Sequence, residues 1–407
     1  MRSAPDPARV RLSGPLAPHA SGLASELARL GYTTASAANV MQLAAHLSRW
    51  LAAAGVGLGG LGGAVLESFL AARRAEYTSH YSMRALRPIL VFLRREGLVP
   101  PEPERQSTSP IEVLLARYRA YLVDDRGLSS PVAEAYAHWV SPFVRDRLGA
   151  DGSTSIAGLK AEDVARFLTA HVPSMTRKTA QMTACALRSF LRYLYDEKLV
   201  GVMLADAVPA VAHRRLSGLP LPLDQHQVDG LLGACDRSSA VGRRDFAVIT
   251  VLHRLGLRCG EAAGLRLDEV DWRAGVVTIR GKGGRTDRLP LPVDVGDAIV
   301  DYLRHGRPQT TARTVFVKAV APHTPLVYSS VSCIVARAAK RAGLGTIHAH
   351  RLRHTTASWA LNAGASLEEV SHLLRHASPA TTAIYAKTDL TRLATLQRPW
   401  PTGGGVS

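Results

Sequence analysis

From about Ser21 to Pro100, apolar residues return every three to four positions, as at Val40, Leu43, Ala44 and Leu47, and this spacing predicts helices throughout. A second all-helical stretch is expected from about Pro110 to Leu204. Between them lies PPEPERQSTSP, whose prolines and polar residues cannot continue a helix, so 101–109 is expected to be a linker. Residues 1–20 and 396–407 show no apolar periodicity and are expected to be loose ends. After a second linker over 205–221 the pattern changes. Arg244 to Leu255 is an amphipathic helix, GLRCGEAAGLRLDEVDW a turn with a short helix, and GVVTIRGKGGRTDRLPLP two strands around a glycine-rich hairpin turn. Ser329 to Ala342 is helical, HAHRLRHTTASWALNAGAS a helix ending near Gly364, and Ser366 with Glu369 a capping box for the next helix. Ser378-Pro379 should open a further short one. The fold class is mainly α with a small β-sheet.

The two helical stretches resemble each other. LGYTTASAANVMQLAAHL aligns with RGLSSPVAEAYAHWVSPF, placing Gly31 against Gly127, 96 residues apart. Phe69 falls against Phe167, 98 apart, and RALRPILVFLRREGLV aligns with CALRSFLRYLYDEKLV at an offset of 101. Short loop insertions produce such a drift, so 21–100 is expected to be a duplicated copy of the helical module at 110–204.

Composition narrows the function. Over 407 residues, 50 Lys and Arg face 33 Asp and Glu, a net charge of +17, and an excess of this size implies a polyanionic partner, nucleic acid first. Between Tyr302 and Leu367 there is no acidic residue, while Arg304, Arg307, Arg313, Lys318, Arg337, Lys340, Arg341, Arg351 and Arg353 fall there. In the first module Arg73, Arg74, Arg84, Arg87, Arg94 and Arg95 also cluster. The 46% apolar content excludes a disordered chain, and no apolar run is long enough to cross a membrane. Without a secretory signal pattern, a cytoplasmic location is expected. Cys185, Cys235, Cys259 and Cys333 lack metal or disulfide spacing and are expected to be reduced and mostly in the core.

GLRCGEAAGLRLDEVDW, GKGGRTDRLPLP, HAHRLRHTTAS and LLRHASPATTAIY, in this order over about 222–390, resemble the catalytic domain of the tyrosine recombinase (phage-type integrase) family. Residues 110–204 resemble that family's helical core-binding, SAM-like domain. The resemblance implies helical DNA-binding modules and a catalytic domain at 222–395 closing as a C-shaped clamp on duplex DNA. It assigns catalytic roles to Arg258, Lys282, His350, Arg353 and His376, and makes Tyr385, nine residues after His376, the nucleophile of a 3′-phosphotyrosine intermediate. It also implies a recombinase tetramer, of one chain or mixed, with accessory DNA-bending or sister proteins, acting in integration, excision or transposition of a mobile element.

The chemistry suits these residue types. A DNA phosphodiester is an anionic electrophile, and the guanidinium forks of Arg258 and Arg353 can clamp its non-bridging oxygens. His350 and His376 can donate to the same phosphate, and either imidazole can take the tyrosine proton. Tyr385 attacks phosphorus, and Lys282 on its turn protonates the departing 5′ oxygen. No cofactor or metal is called for, because the arginines supply the charge and no carboxylate cluster suits Mg²⁺. Lys282 is not part of a phosphate-binding Walker loop, since Gly283 follows it. His348, His350 and His354 lack partners for a zinc site. Tyr302 and Tyr328, the other tyrosines considered as nucleophiles, are expected to be packing residues. Where the family commonly has glycine, this chain has Arg375, expected to change backbone freedom and add a phosphate contact without touching a catalytic group. Two alternatives share parts of this pattern: a type IB topoisomerase with nearly the same phosphate chemistry, and a noncatalytic DNA-binding regulator.

Overall fold

The structure, a computed structural model, describes residues 7–101, 109–149, 155–210, 222–281 and 285–375. The chain divides into two compact units, Glu102–Ser217 and a second formed by Met1–Pro101 with Gly218–Ser407.

The first bundle has four helices: α1 (Ala20–Arg29), α2 (Thr34–Ala53), α3 (Gly63–Glu76) and α4 (Met83–Arg95). Thr33 opens α2 by accepting from the Ser36 amide at 3.3 Å, satisfying one of the donors a helix start leaves free. The apolar stripe read from the sequence faces inward: Leu43, Ala44 and Leu47 are buried with Leu27, Phe69, Leu70 and Leu93, whereas Val40 is only partly covered.

Residues 102–217 contain α5 (Pro110–Asp124), α6 (Ser130–Leu148), α7 (Ala161–His171) and α8 (Arg177–Asp196). Their core is more aromatic. Tyr118 meets Phe190 edge-on at 5.1 Å and Phe143 meets Phe167 at 5.2 Å, a geometry that aligns ring edges with ring faces.

The two bundles match in local detail. A 3₁₀ turn at Leu58–Gly60 precedes α3 and another at Ile156–Gly158 precedes α7, at the same 98-residue offset as the buried pair Phe69 and Phe167. Gly31 and Gly127 both take positive φ in the turns leading to α2 and α6.

The remaining elements are α9 (Gln225–Gly233), α10 (Ala240–Arg254), α11 (Cys259–Gly264), β1 (Val270–Asp271), β2 (Val276–Arg280), β3 (Thr286–Pro290), α12 (Val293–His305), α13 (Tyr328–Arg341), α14 (Ala349–Asn362) and α15 (Leu367–Leu374). Helix α10 is the hub. Its Ala247, Val248, Val251 and Leu252 are fully buried, and it packs against α12, α13 and α14. The expected hairpin forms, with Val277 opposite Leu289 and Ile279 opposite Asp287, and β1 adds a third antiparallel strand that the sequence pattern did not single out. Alternation places Val277 and Ile279 in the core. The predicted capping box is present: Glu369 donates its amide to Ser366 Oγ at 3.1 Å, and the Ser366 amide donates to the Glu369 carboxylate at 2.7 Å.

Two expectations need correction. Cys235 and Cys259 are buried as anticipated, but Cys185 and Cys333 are exposed, because each falls on the outward side of its amphipathic helix. Tyr302 packs in the core, stacked on Phe316 at a centroid distance of 5.7 Å, whereas Tyr328 stands 66% exposed at the start of α13 and packs nothing away. Among the described residues no helix is long and apolar enough to cross a membrane.

Candidate active site

Helix α14 carries the HxxR pair. His350 sits in its first turn and is exposed; Arg353, one turn later on the same face, is buried at 1% exposure. Two threonines pin this helix in place. Thr355 Oγ1 accepts from the Leu223 amide at 2.9 Å, and Thr356 Oγ1 donates to the carbonyl of His253 at the end of α10. His354 lies against His350, the rings edge to face at 4.4 Å. Burial, reinforced by His350 and Arg353, pushes its pKa down to about 4, so it adds no charge here at neutral pH. Among the described residues no group of histidine, cysteine and carboxylate side chains is arranged to hold a metal ion.

The Arg353 guanidinium donates through Nη1 to the Gly256 carbonyl and through Nη2 to the Leu374 carbonyl. It thereby ties the segment two residues before Arg258 to the segment two residues before His376. Glycine suits this junction: it adopts the φ of +56° without strain, and an added Cβ would lie 2.9 Å from Leu374 Cδ2, which would have to shift.

Arg258 is the N-cap of α11, with 41% of its side chain exposed. Glu261, one turn on and buried, accepts from the Arg258 amide at 2.8 Å and from Arg258 Nη1 at 2.6 Å, fixing both backbone and guanidinium. Burial opposes ionisation of this carboxyl, but the Arg258 amide and the neighbouring arginines outweigh it and hold the pKa below the usual range. The one-turn spacing of Arg258 and Glu261 on the chain suits such a buttress.

Arg375 departs from expectation. Its side chain is 4% exposed and turned inward, where Nη2 meets Glu261 Oε2 at 2.9 Å and Nη1 donates to the Leu373 carbonyl at 2.9 Å. The anticipated phosphate contact is replaced by an ion pair with the residue that holds Arg258. Sequence reasoning missed this because a pairing across 114 residues leaves no local signal. Arg307, counted in the acid-free basic run, is likewise structural and donates to the carbonyls of Ala312, Thr314 and Val315. Of that run, Arg304, Arg313, Lys318, Arg337, Lys340 and Arg341 are exposed.

The hairpin that carries Lys282 closes with the Gly281 amide donating to the Arg285 carbonyl at 2.7 Å. Lys282, His376 and Tyr385 themselves lie outside the described residues, as does the helix expected at Ser378-Pro379. Of the six, the structure places His350 and Arg353 one turn apart on α14 and ties Arg353 to the Gly256 turn two residues before Arg258.

Comparison with known proteins decides the family. A candidate integrase/recombinase of Sinorhizobium fredii, y4rA, is 40% identical over 392 residues, 95% of each chain. The chain belongs to the phage integrase family of tyrosine recombinases. The phage integrase family model matches residues 222–392, and the phage integrase N-terminal SAM-like domain model matches 115–198. The tyrosine recombinase XerC of Oceanobacillus iheyensis is 30% identical over 68% of this chain and 91% of its own. As a member of this family the protein is an enzyme that cuts and rejoins DNA. The fold agrees: the XerH recombinase in its post-cleavage complex with difH aligns at a TM-score of 0.56 and 19% identity over 81% of this recombinase and 93% of XerH. A λ integrase dimer on a COC′ core site aligns at 0.54 and 17% identity over 72% and 98%.

Proposed function

We propose that this recombinase acts at defined sites in duplex DNA, through a 3′-phosphotyrosine on Tyr385, to integrate, excise or transpose a mobile element. The observation that carries this is the junction made by Arg353, which joins the Gly256 segment before Arg258 to the Leu374 segment before His376. The junction supports this reading because it joins segments far apart in sequence, as assembly of a cationic phosphate clamp requires.

In this mechanism the exposed Arg258 guanidinium meets the non-bridging oxygens of the scissile phosphate. Arg353 supplies a fixed positive charge from beneath, held in place by the two carbonyls it binds. His350 and His376 donate to the same phosphate, Tyr385 attacks, and Lys282 protonates the leaving 5′ oxygen. The phosphotyrosine conserves the energy of the broken bond, so the reverse attack by a 5′ hydroxyl rejoins DNA without ATP. The partner is duplex DNA, with the protein in the cytoplasm and four protomers at synapsis; the recombinases XerH and λ integrase were solved on DNA, and λ integrase also as a tetramer on a Holliday junction. Residues 110–204 serve as core-binding domain and 222–395 as catalytic domain, with 21–100 a duplicated helical module.

A nicked suicide duplex tests this proposal. The wild-type enzyme should form a denaturant-resistant adduct that Tyr385→Phe cannot form, while the variant binds duplex with unchanged Kd. An adduct in the variant refutes Tyr385. Relaxation of plasmids without a preferred site, and no exchange between two sites, would instead reveal a topoisomerase, and absence of any adduct in the wild type a DNA-binding regulator.

A further inference from the structure

Glu261 is a buried carboxylate facing two arginines. Oε1 accepts from Arg258 Nη1 at 2.6 Å, and Oε2 accepts from the Arg258 amide at 2.8 Å and from Arg375 Nη2 at 2.9 Å. Arg375 also reaches the carbonyls of Leu255 and Gly256 at 3.4 and 3.3 Å, and its own carbonyl lies 3.5 Å from Arg258 Nη2. Its side chain spans from the end of α15 to the turn that leads into Arg258. The backbone there is left-handed, φ +52°, a conformation that glycine adopts more readily than other residues. Glycine would hold this turn more easily, but it would lack the contacts that the arginine side chain makes with Glu261 and with the carbonyls of Leu255 and Gly256.

The charges of the three groups show what those contacts do. Arg258 and Glu261 alone form a neutral pair, whose guanidinium charge is largely compensated before any phosphate arrives. With Arg375 the three groups carry a net +1, and only Arg258 among them is exposed, at 41% of its side chain against 5% and 4%. In a site of low dielectric the difference between a neutral dipole and a net cation is large for an approaching phosphodiester. We propose that Arg375 is a positioning residue for DNA cleavage: by sharing Glu261 it leaves the positive charge of Arg258 available to the scissile phosphate and fixes the direction of its guanidinium. This rests on Arg258 acting as the phosphate clamp.

The test measures single-turnover adduct formation on a suicide duplex, duplex Kd and thermal stability for R375G, R375K, E261Q, R375G/E261Q and R258A. Removing the side chain in R375G, at a backbone position glycine favours, should slow cleavage at least tenfold with Kd within twofold of wild type. R375K, which keeps the charge, should recover most of the rate. E261Q in the R375G background should also recover rate, because an amide no longer compensates Arg258. A merely structural arginine predicts the opposite, since the second substitution would add damage. If R375G does not fold, R375Q takes its place in the cycle. Should R375G/E261Q cleave no faster than R375G while R258A is severely impaired, the role of Arg375 falls and the clamp stands. Should R258A cleave like wild type, both fall.

Discussion

Gly97 and Lys198 occupy the same left-handed turn in the two helical bundles, with φ of 68° and 57°. The surrounding hydrogen bonds correspond one for one: Leu98 donates to Leu93 and Leu199 to Leu194, while Glu96 donates to Phe92 and Glu197 to Tyr193. Val99 and Val200 then bury against their respective cores. One copy has the residue this turn favours and the other has a lysine held there by its neighbours. Lys198→Gly should therefore stabilise the 110–204 bundle by up to ~1 kcal/mol and Gly97→Ala should weaken the first by about as much, the new Cβ meeting no neighbour. Urea unfolding of each variant beside the wild type checks both signs.

That correspondence was legible as EGLV against EKLV, because helix ends and apolar stripes are local and repeat with the chain. The same holds for the Ser366 and Glu369 capping box. Long-range pairings left no such trace. Nothing around Arg375 announces Glu261, and nothing in an acid-free basic run separates Arg307, spent on three carbonyls, from the exposed Arg304. The third strand, β1, is two residues long and below the length at which alternation becomes a pattern. Of the candidate site, residue identity came from motif order, but the burial of Arg353 and the exposure of His350 needed the packing of α14.

Acid should destabilise this protein through two buried histidines. Burial pushes His253 down to about 4, as it does His354. Both folded values lie below the unfolded value near 6.5, so as pH falls the unfolded chain takes up the protons first and stability is lost between 6.5 and 4. At pH 5 each histidine contributes a loss of roughly 2 kcal/mol. Among the described residues His253 Nδ1 has no hydrogen-bond partner, and the ring packs edge-on against Trp359 at 4.9 Å, so His253→Phe keeps the ring packing and removes the titration. The variant should lose less Tm than wild type between pH 7 and 5; equal losses would place the acid sensitivity elsewhere.

Arg258 and Arg353 should separate when mutated. Arg258→Ala removes a half-exposed guanidinium and should lower cleavage by ~10² or more with little change in Tm, as deletion of preorganised charge does. Arg353→Ala should produce at least as large a loss in cleavage and also several kcal/mol of destabilisation, because the carbonyls of Gly256 and Leu374 lose a buried donor. Adduct kinetics and melting curves of the two proteins distinguish a clamp residue from one that is clamp and strut together.

Lys282 should act on the leaving group alone. Replacing the 5′ leaving oxygen of the duplex with sulfur makes protonation unnecessary, so Lys282→Ala should be slow on the ordinary substrate and near wild type on the sulfur one. Equal defects on both would take the acid role away from Lys282.

In sequence the arginines of the first bundle look like a DNA-binding cluster, and the structure thins that cluster. Arg73 is buried and donates to the His80 carbonyl at 2.9 Å, and Arg95 pairs with Glu26 at 2.6 Å and with Glu96 at 3.0 Å. Arg84 and Arg87 are exposed, and Arg74 is half-exposed with a loose partner in Glu67 at 3.7 Å. If the bundle binds DNA through these three, deleting residues 1–100 should lower the slope of log affinity against log salt by at most ~3, at ~0.9 for each phosphate no longer neutralised, and leave the cut position unchanged. If it serves assembly, the slope should hold while synapsis of two sites disappears. Footprints of full-length and truncated enzyme decide the matter at the level of bases: identical footprints with a normal salt slope would leave no DNA for the first bundle to touch.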